Sequence, residues 1–295
     1  SGREIIHFEI GDPNFFSPSH VKDAAKMAID KNLTHYTNSM GILECREAVV
    51  DYVNDNLGFR PSIEQILICP ANAIIDFVVR CVVNQGEEII HPDPGFPTYS
   101  SVIEYNGMVS VGSPLGEKNN FRMNPNDVSD RITKKTKLLV VNTPQNPTGA
   151  VMTQKEIFEM ARIAELNDIY LLSDEVYSAI TYDKIHHSPT ILDQCKERSI
   201  LLGSLSKIFS MSGWRLGYAV GPKKLIEKMG LLLQTILSCL PAFVQLGGVA
   251  ALSGDQTFLA ERFKELKHRR DLLVNGLNDI PGMSCVLPEG SFYAF

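Results

Sequence analysis

One lysine, Lys207, lies in the segment SLSKIFSMSGWRLGY between the serines Ser204 and Ser206 on one side and Arg215 on the other. A lysine that follows a buried strand into a partly desolvated site has a lowered pKa, and its neutral amine can attack a carbonyl. Serine hydroxyls, backbone amides and a guanidinium are donors that suit a phosphate dianion. Taken alone, such a segment is more often structural than functional, so other residues must support the chemistry.

A second candidate group is Asp174, which follows an apolar run in the segment LLSDEVY. A buried carboxylate without a partner is costly, so Asp174 is expected to have a cationic partner. One interpretation is an ordinary helix cap or an acid that faces solvent. The other is a carboxylate that keeps a heterocyclic nitrogen protonated. Tyr177, three residues further on, would then donate to a phenolate oxygen of the same ring.

Two proline-rich loops offer further groups. In NTPQNPTGA, the prolines fix a turn around Asn146, which suits an oriented side-chain donor. In PDPGFPTY, Phe96 lies on a loop where its ring could stack on a flat ligand, although core packing is the ordinary role of a phenylalanine. Together these groups favour a flat heteroaromatic ligand with a phosphate, an aldehyde, a basic ring nitrogen and a ring oxygen. That description fits pyridoxal 5′-phosphate (PLP).

The elements that position these groups alternate between apolar runs and helical patterns. The runs lack polar alternation, which is typical of strands that are buried on both faces. They are Ile66–Cys69, Glu88–His91, Leu138–Asn142, Ile169–Ser173, Ile200–Gly203 and Leu216–Gly221. Between two of them, Thr153 and Glu156 predict a capping box before a helix whose apolar stripe contains Ile157, Met160, Ala161 and Ala164. The alternation predicts an α/β domain with a mainly parallel sheet, whose active site lies at the carboxyl ends of the strands.

The carboxyl-terminal part has a different pattern. Residues 256–278 predict one long helix that leaves the main domain, and residues 280–295 predict two short strands joined by turns.

Composition excludes several other classes of protein. The chain has 295 residues, of which 44% are hydrophobic and 21% charged, as in ordinary globular proteins. Its net charge of −6 and the lack of a basic run argue against nucleic acid or an anionic membrane as partner. The six cysteines show neither zinc-site nor disulfide spacing, so no metal is expected. The sequence has no signal-peptide layout and no apolar run of ~18–20 residues, and a cytoplasmic protein is expected.

Four segments, SLSKIFSMSGWRLGY, SDEVY, NTPQNPTG and IGDPNF, resemble in order and spacing the class I and II aminotransferases, which are PLP enzymes of fold type I. The resemblance extends over almost the whole chain. It implies a three-layer α/β sandwich with a mainly parallel sheet, in which residues 15–260 form a large PLP-binding domain. Residues 1–14 and 261–295 would form a smaller α+β domain that looks incomplete.

The resemblance also implies roles for individual residues. Lys207 would bind the cofactor covalently and move a proton, and Asp174 would pair with the ring nitrogen. Tyr177 and Asn146 would bind the ring oxygen. The remaining cofactor contacts implied in this way are Ser204, Ser206, Arg215, Ala71 and Asn72 for the phosphate and Phe96 for the ring face.

Two further residues concern the partner subunit and the substrate. Tyr36, in HYTNSMGILECREAV, matches a tyrosine that reaches the phosphate in the other subunit, which implies a homodimer with shared active sites. Gly11, in IGDPNF, matches a glycine whose backbone borders the substrate, as Asn146 also would.

One residue of the family pattern has no counterpart here. The arginine that binds the substrate α-carboxylate in the family would lie beyond Phe295, and Arg262, Arg269 and Arg270 do not match its motif. The sequence is therefore expected to be a fragment that lacks part of the small domain.

The resulting prediction is a PLP-dependent aminotransferase that moves an amino group from an amino acid to a 2-oxo acid. One alternative is a PLP-dependent lyase, cyclase or related amino-acid-modifying enzyme on the same fold. Another is a non-catalytic PLP-binding module, although the basic helix-turn-helix segment that usually accompanies such a module is not visible. The residues do not indicate which amino acid is used.

Overall fold

The computed structural model describes residues 6–295, which contain ten α-helices and seven β-strands. The helices are α1 (Ser19–Asp30), α2 (Leu43–Leu57), α3 (Ala71–Val82), α4 (Thr98–Tyr105), α5 (Pro125–Ser129), α6 (Gln154–Leu166), α7 (Leu205–Ile208), α8 (Lys223–Leu237), α9 (Ala242–Ser253) and α10 (Phe258–Asn278). The strands are β1 (Ile66–Ile68), β2 (Glu88–Asp93), β3 (Val109–Pro114), β4 (Thr136–Asn142), β5 (Tyr170–Asp174), β6 (Ser199–Ser204) and β7 (Gly217–Val220). No helix within the described range is long and apolar enough to cross a membrane.

All seven strands form one sheet in the order β1-β7-β6-β5-β4-β2-β3. The five strands from β6 to β3 pair in parallel, whereas β7 is antiparallel to both of its neighbours. This topology confirms the predicted α/β fold with a mainly parallel sheet. Each of the six predicted apolar runs coincides with a strand. The sequence pattern missed β3, because this edge strand is mostly half-buried and lacks the continuous apolar run of the central strands.

Two buried clusters of side chains cover the two faces of the sheet. Along β4, Leu138 and Val140 belong to one cluster, and Leu139 and Val141 belong to the other. Successive side chains of a strand point to opposite faces, so the clusters lie on opposite sides of the sheet. Helices α3 and α8 contribute to the first cluster and α6 to the second. The result is a layer of helices on each side of the sheet.

Helix α6 begins at the capping box that the sequence predicts. The Thr153 side chain accepts a hydrogen bond from the Glu156 amide at 3.3 Å, and the Glu156 carboxylate accepts one from the Thr153 amide at 2.8 Å. The predicted stripe is buried except for Ala161, which is half-buried, and Ile163 is buried as well. Because only three residues separate residues 142–150 from α6, its capping box fixes the end of the loop that carries Asn146.

The carboxyl-terminal segment differs from its prediction. The long helix is present as α10, but residues 280–295 contain no strand. Instead, one isolated bridge joins Gly290 to Thr181, and the Ser291 amide donates to the Ile180 carbonyl at 2.8 Å. The segment thus pairs with the loop after β5 and not with itself. The division into a large and a small domain remains a prediction, and residues 1–5 of the predicted small domain lie outside the described residues.

Candidate active site

A cavity of about 370 Å³ lies at the carboxyl ends of the central strands. Asn142, Asp174 and Ser204 are the last residues of β4, β5 and β6, and all three line it. The structure brings eleven of the twelve predicted site residues together at this cavity. They are Gly11, Ala71, Asn72, Phe96, Asn146, Asp174, Tyr177, Ser204, Ser206, Lys207 and Arg215.

The twelfth predicted residue, Tyr36, does not line the cavity, and its side chain is 88% exposed. The three arginines that do not match the family motif also lie elsewhere. Arg262 is 4.4 Å from the Phe258 ring centroid, and Arg269 donates to Glu265 at 2.7 Å. Arg270 is buried and forms ion pairs with Asp271 at 2.6 Å and Asp183 at 3.6 Å.

Lys207 lies in α7, a single helical turn that follows β6 directly. Its ammonium donates a hydrogen bond to the Gly11 carbonyl and lies 5.8 Å from the centroid of the Phe292 ring. Burial lowers the pKa of this amine; Asp12 acts in the opposite direction, and Arg215 lowers the pKa further. The sequence-based expectation of a partly desolvated lysine thus has a structural cause, and the neutral amine needed for attack on a carbonyl is favoured.

Asp174 is a buried carboxylate at the end of β5. It accepts hydrogen bonds from the Tyr99 hydroxyl at 2.5 Å and from the Val176 amide at 3.2 Å. Burial raises its pKa to about 6 in spite of these two bonds, and Glu175 contributes to the rise. Within residues 6–295, no protein cation pairs with Asp174, although the sequence analysis expected a cationic partner. The carboxylate therefore faces the cavity ready to pair with a positively charged group of a ligand.

Tyr177 and Asn146 approach each other from neighbouring strand ends. Both side chains line the cavity, and Asn146 is close enough to lower the pKa of the Tyr177 hydroxyl. Burial, with a smaller contribution from Tyr293, holds the pKa of Tyr177 far above its usual value, so this phenol keeps its proton. The Asn146 amide donates to the Asn142 side chain at 2.8 Å, and Asn142 in turn donates to the Asp174 carbonyl at 3.1 Å. The last residue of β4 thereby ties the Asn146 loop to β5.

Several hydrogen-bond donors also line the cavity. The Ser204 side chain caps α7 by accepting from the Ser206 amide at 3.2 Å, and both serines are buried. Helix α3 begins at Ala71 with no side-chain cap on its first turn. The free amides of such a turn carry partial positive charge and bind anions. Arg215 is exposed, has a left-handed backbone with φ of 55° and donates to the Ser212 carbonyl at 2.7 Å.

Phe96 is half-buried on the loop before α4, with its ring edge-on to that of Tyr99 at 5.8 Å and 84°. Sequence reasoning overlooked two tyrosines that are close to the predicted residues. Tyr99 contacts Asp174, and Tyr293 contacts Tyr177 at 2.6 Å between the hydroxyl oxygens. Tyr99 lies three residues after Phe96 in the segment PDPGFPTY, but no spacing in the sequence connects it to Asp174. Tyr293 gave no signal beyond its place in an aromatic run.

Known proteins of the same family resemble this chain over nearly all of its length. The profile of the family "Aminotransferase class I and II" matches residues 3–295. An aspartate aminotransferase of Pyrococcus horikoshii is 37% identical over 99% of this chain and 75% of that protein. An aromatic-amino-acid aminotransferase 2 of Thermococcus litoralis is 37% identical over 99% of this chain and 76% of that protein.

The fold is shared as well. A solved structure of an alanine aminotransferase from Pyrococcus furiosus matches with a TM-score of 0.94 at 32% identity, over 99% of this chain and 77% of that one. These similarities confirm the resemblance seen in the motifs and favour an enzyme over a non-catalytic module. The chain belongs to the class I and II aminotransferase family and is an aminotransferase.

Proposed function

We propose that the cavity binds PLP and that the residues around it transfer an amino group from an amino acid to a 2-oxo acid. The observation that carries this proposal is the pairing of Lys207 and Asp174 in one cavity. Lys207 offers an amine whose pKa is lowered by burial, and Asp174 offers a buried carboxylate that lacks a protein cation among the described residues. A ligand with an aldehyde and a basic ring nitrogen satisfies both groups.

The other groups of PLP also find suitable partners. The uncapped start of α3 at Ala71 and Asn72, the serines Ser204 and Ser206, and Arg215 would hold the phosphate. The ring oxygen would accept from Tyr177 and Asn146, and Phe96 would cover one ring face. The donors suited to the phosphate and the acceptor suited to the ring nitrogen line the same cavity, so the donor set fits the cofactor.

When bound, PLP supplies an electron sink that stabilises negative charge at the substrate Cα. The side chains of the protein supply proton transfer and hold the cofactor and substrate in place. Lys207 would take the proton from the substrate Cα and return it at a different atom, because burial lowers the pKa of this amine and so favours the neutral form that can accept a proton. Asp174 would keep the ring nitrogen protonated. Gly11, whose carbonyl accepts from Lys207, would border the substrate at the mouth of the cavity.

The substrate and assembly follow from the same proposal. The names of the relatives point to amino acids such as aspartate and aromatic amino acids as donors. We further propose a homodimer in which the exposed Tyr36 reaches the phosphate site of the partner subunit. A cytoplasmic location is proposed as well, because all six cysteines are free thiols, as is usual in reducing compartments.

The test is an assay of the PLP-loaded protein with 2-oxoglutarate and either aspartate or phenylalanine. We expect glutamate to form with one of these donors and to be lost in Lys207→Ala. Lys196→Ala, which removes an exposed lysine that donates to Gln194, is the matched control and should leave the rate unchanged. Release of ammonia without glutamate would indicate a lyase instead. Equal glutamate formation by Lys207→Ala and the wild type would contradict the proposal.

A further inference from the structure

Tyr293 reaches the cavity from the carboxyl-terminal segment and contacts Tyr177. The two hydroxyl oxygens are 2.6 Å apart, which is within hydrogen-bonding distance. The ring centroids lie 5.7 Å apart at an angle of 78°, and the ring of Phe292 meets Tyr177 in the same edge-on way at 5.5 Å. Two neighbouring aromatic rings therefore hold the ring of Tyr177 in place.

The backbone that carries Tyr293 is tied to the loop after β5. The Ser291 amide donates to the Ile180 carbonyl at 2.8 Å, and the Tyr182 hydroxyl donates to the Ser291 carbonyl at 2.5 Å. Ile180 comes three residues after Tyr177. These bonds fix Tyr293 relative to Tyr177.

The same backbone is also tied to the loop that carries Asn146. The Gly290 amide donates to the Gly149 carbonyl at 2.9 Å. Gly149 has φ of +71°, and a Cβ added there would lie 2.5 Å from Pro288, so only glycine permits this close approach. Tyr293 is thus positioned both by the loop that carries Tyr177 and by the loop that carries Asn146.

Tyr293 also lies against Gly11. A Cβ added to Gly11 would be 2.1 Å from the Tyr293 hydroxyl oxygen, so this hydroxyl occupies the space that a side chain would take. The Gly11 carbonyl accepts a hydrogen bond from Lys207. Asp174 from β5 acts on the pKa of both tyrosines. The other charged side chains that line the cavity with them are Glu9, Lys207 and Arg215, and a neighbouring cavity places Asp12, Arg269 and Arg270 on the other side of Tyr293.

The direction of the bond between the two hydroxyls decides what Tyr177 can do. A phenol has one proton to donate and can accept through its oxygen. The hydrogen bond between the Tyr177 and Tyr293 hydroxyls can have either tyrosine as its donor. If Tyr177 donates to Tyr293, it has no proton left for a ligand. If Tyr293 donates to Tyr177, the proton of Tyr177 is free to bind an acceptor in the cavity.

We propose that Tyr293 is a positioning residue which donates its proton to Tyr177 when a ligand oxygen is present and thereby directs the Tyr177 proton to that oxygen. The inference rests on the proposed function, in which the ligand oxygen is the ring oxygen of PLP. Hydrogen bonds in a chain polarise one another, and each strengthens its neighbour by about 10–30%. Tyr293 therefore makes Tyr177 a stronger donor without touching the ligand oxygen.

The test is a pH titration of the visible absorption band of bound PLP. A donor to the ring oxygen favours the form in which that oxygen is negatively charged, so loss of the donor raises the midpoint pH. We expect Tyr177→Phe to raise the midpoint by about 1–2 pH units, the worth of one hydrogen bond to a charged group. Tyr293→Phe should raise it by about 0.1–0.6 units, which is about 10–30% of that shift. The double variant should match Tyr177→Phe, because Tyr293 acts only through Tyr177.

The matched control is Tyr105→Phe, which removes a hydroxyl from a side chain that is 85% exposed and should leave the midpoint unchanged. If Tyr293→Phe fails to fold, Gly11→Ala replaces it, because the added methyl displaces the Tyr293 hydroxyl and should raise the midpoint too. A midpoint equal to the wild-type value in Tyr293→Phe, or an equal further rise on the Tyr177→Phe background, would overturn the inference. A wild-type protein with no visible band after addition of PLP would instead overturn the proposed function.

Discussion

At the residue scale, Asp174 shows that burying a carboxylate for a charged ligand lowers the stability of the folded protein. The structure buries this carboxylate and raises its pKa from 3.8 to about 6. The folded protein therefore holds the proton more tightly than the unfolded chain does, and ionisation costs stability as the pH rises through this interval. This loss of stability is fully present above about pH 6 and is absent below about pH 3.9, the pKa of an aspartate in the unfolded chain.

We therefore expect Asp174→Asn to stabilise the cofactor-free protein at pH 7. The gain in the free energy of unfolding should be about 2–3 kcal/mol, since one pKa unit corresponds to about 1.4 kcal/mol. It should shrink toward zero near pH 4. Urea unfolding at both pH values measures the difference, with the exposed Asp130→Asn as control. A gain that is as large at pH 4 as at pH 7 would show that ionisation of Asp174 is not its source.

Tyr99 gives a second prediction at this scale. Its hydroxyl donates to Asp174 and lowers the pKa of that carboxyl. In Tyr99→Phe the pKa of Asp174 should rise. The acidic limb of the kcat/KM profile should therefore shift to higher pH by about one unit. Tyr105→Phe, in the same helix α4, is the control and should leave the limb in place. The role assigned to Tyr99 would be wrong if both variants gave the wild-type profile.

Helix α6 is the clearest case at the element scale in which sequence alone predicted a local structure. Thr153→Ala removes the cap from this helix and should lower the free energy of unfolding by about 1 kcal/mol. Thr235→Ala is the matched control, because Thr235 lies exposed inside α8, where alanine is the better helix former. Urea unfolding measures the free energy of unfolding of both variants, which should fall only in Thr153→Ala. Equal stability of Thr153→Ala and the wild type would contradict the capping role.

The elements also show where prediction from sequence ends. The central strands were predictable because each is a continuous apolar run that must be buried on both faces. The edge strand β3 and the segment 280–295 were not, since their conformation depends on pairing with parts of the chain that are distant in sequence. Tyr99 and Tyr293 were missed for the same reason. Their partners lie 75 and 116 residues away along the chain, and no spacing rule connects them.

At the scale of the whole molecule, the proposed homodimer with shared active sites makes a quantitative prediction. In a mixture of Lys207→Ala and Tyr36→Ala chains, each hybrid dimer should contain one site with both residues intact. Random pairing makes half of the dimers hybrid, so the mixture should regain about a quarter of the wild-type activity. The assay compares the mixture with each variant alone after subunit exchange. A mixture no more active than its components would contradict shared sites.

The most direct test of the proposed function is to locate the residue that binds PLP covalently. The PLP-loaded protein is treated with borohydride, which reduces the bond between the cofactor and the amine to a stable one. Its peptides are then analysed by mass spectrometry. The proposal predicts that the peptide containing Lys207 carries the mass of the reduced cofactor and that the other lysines do not. A modified peptide elsewhere in the chain, with Lys207 unmodified, would contradict it.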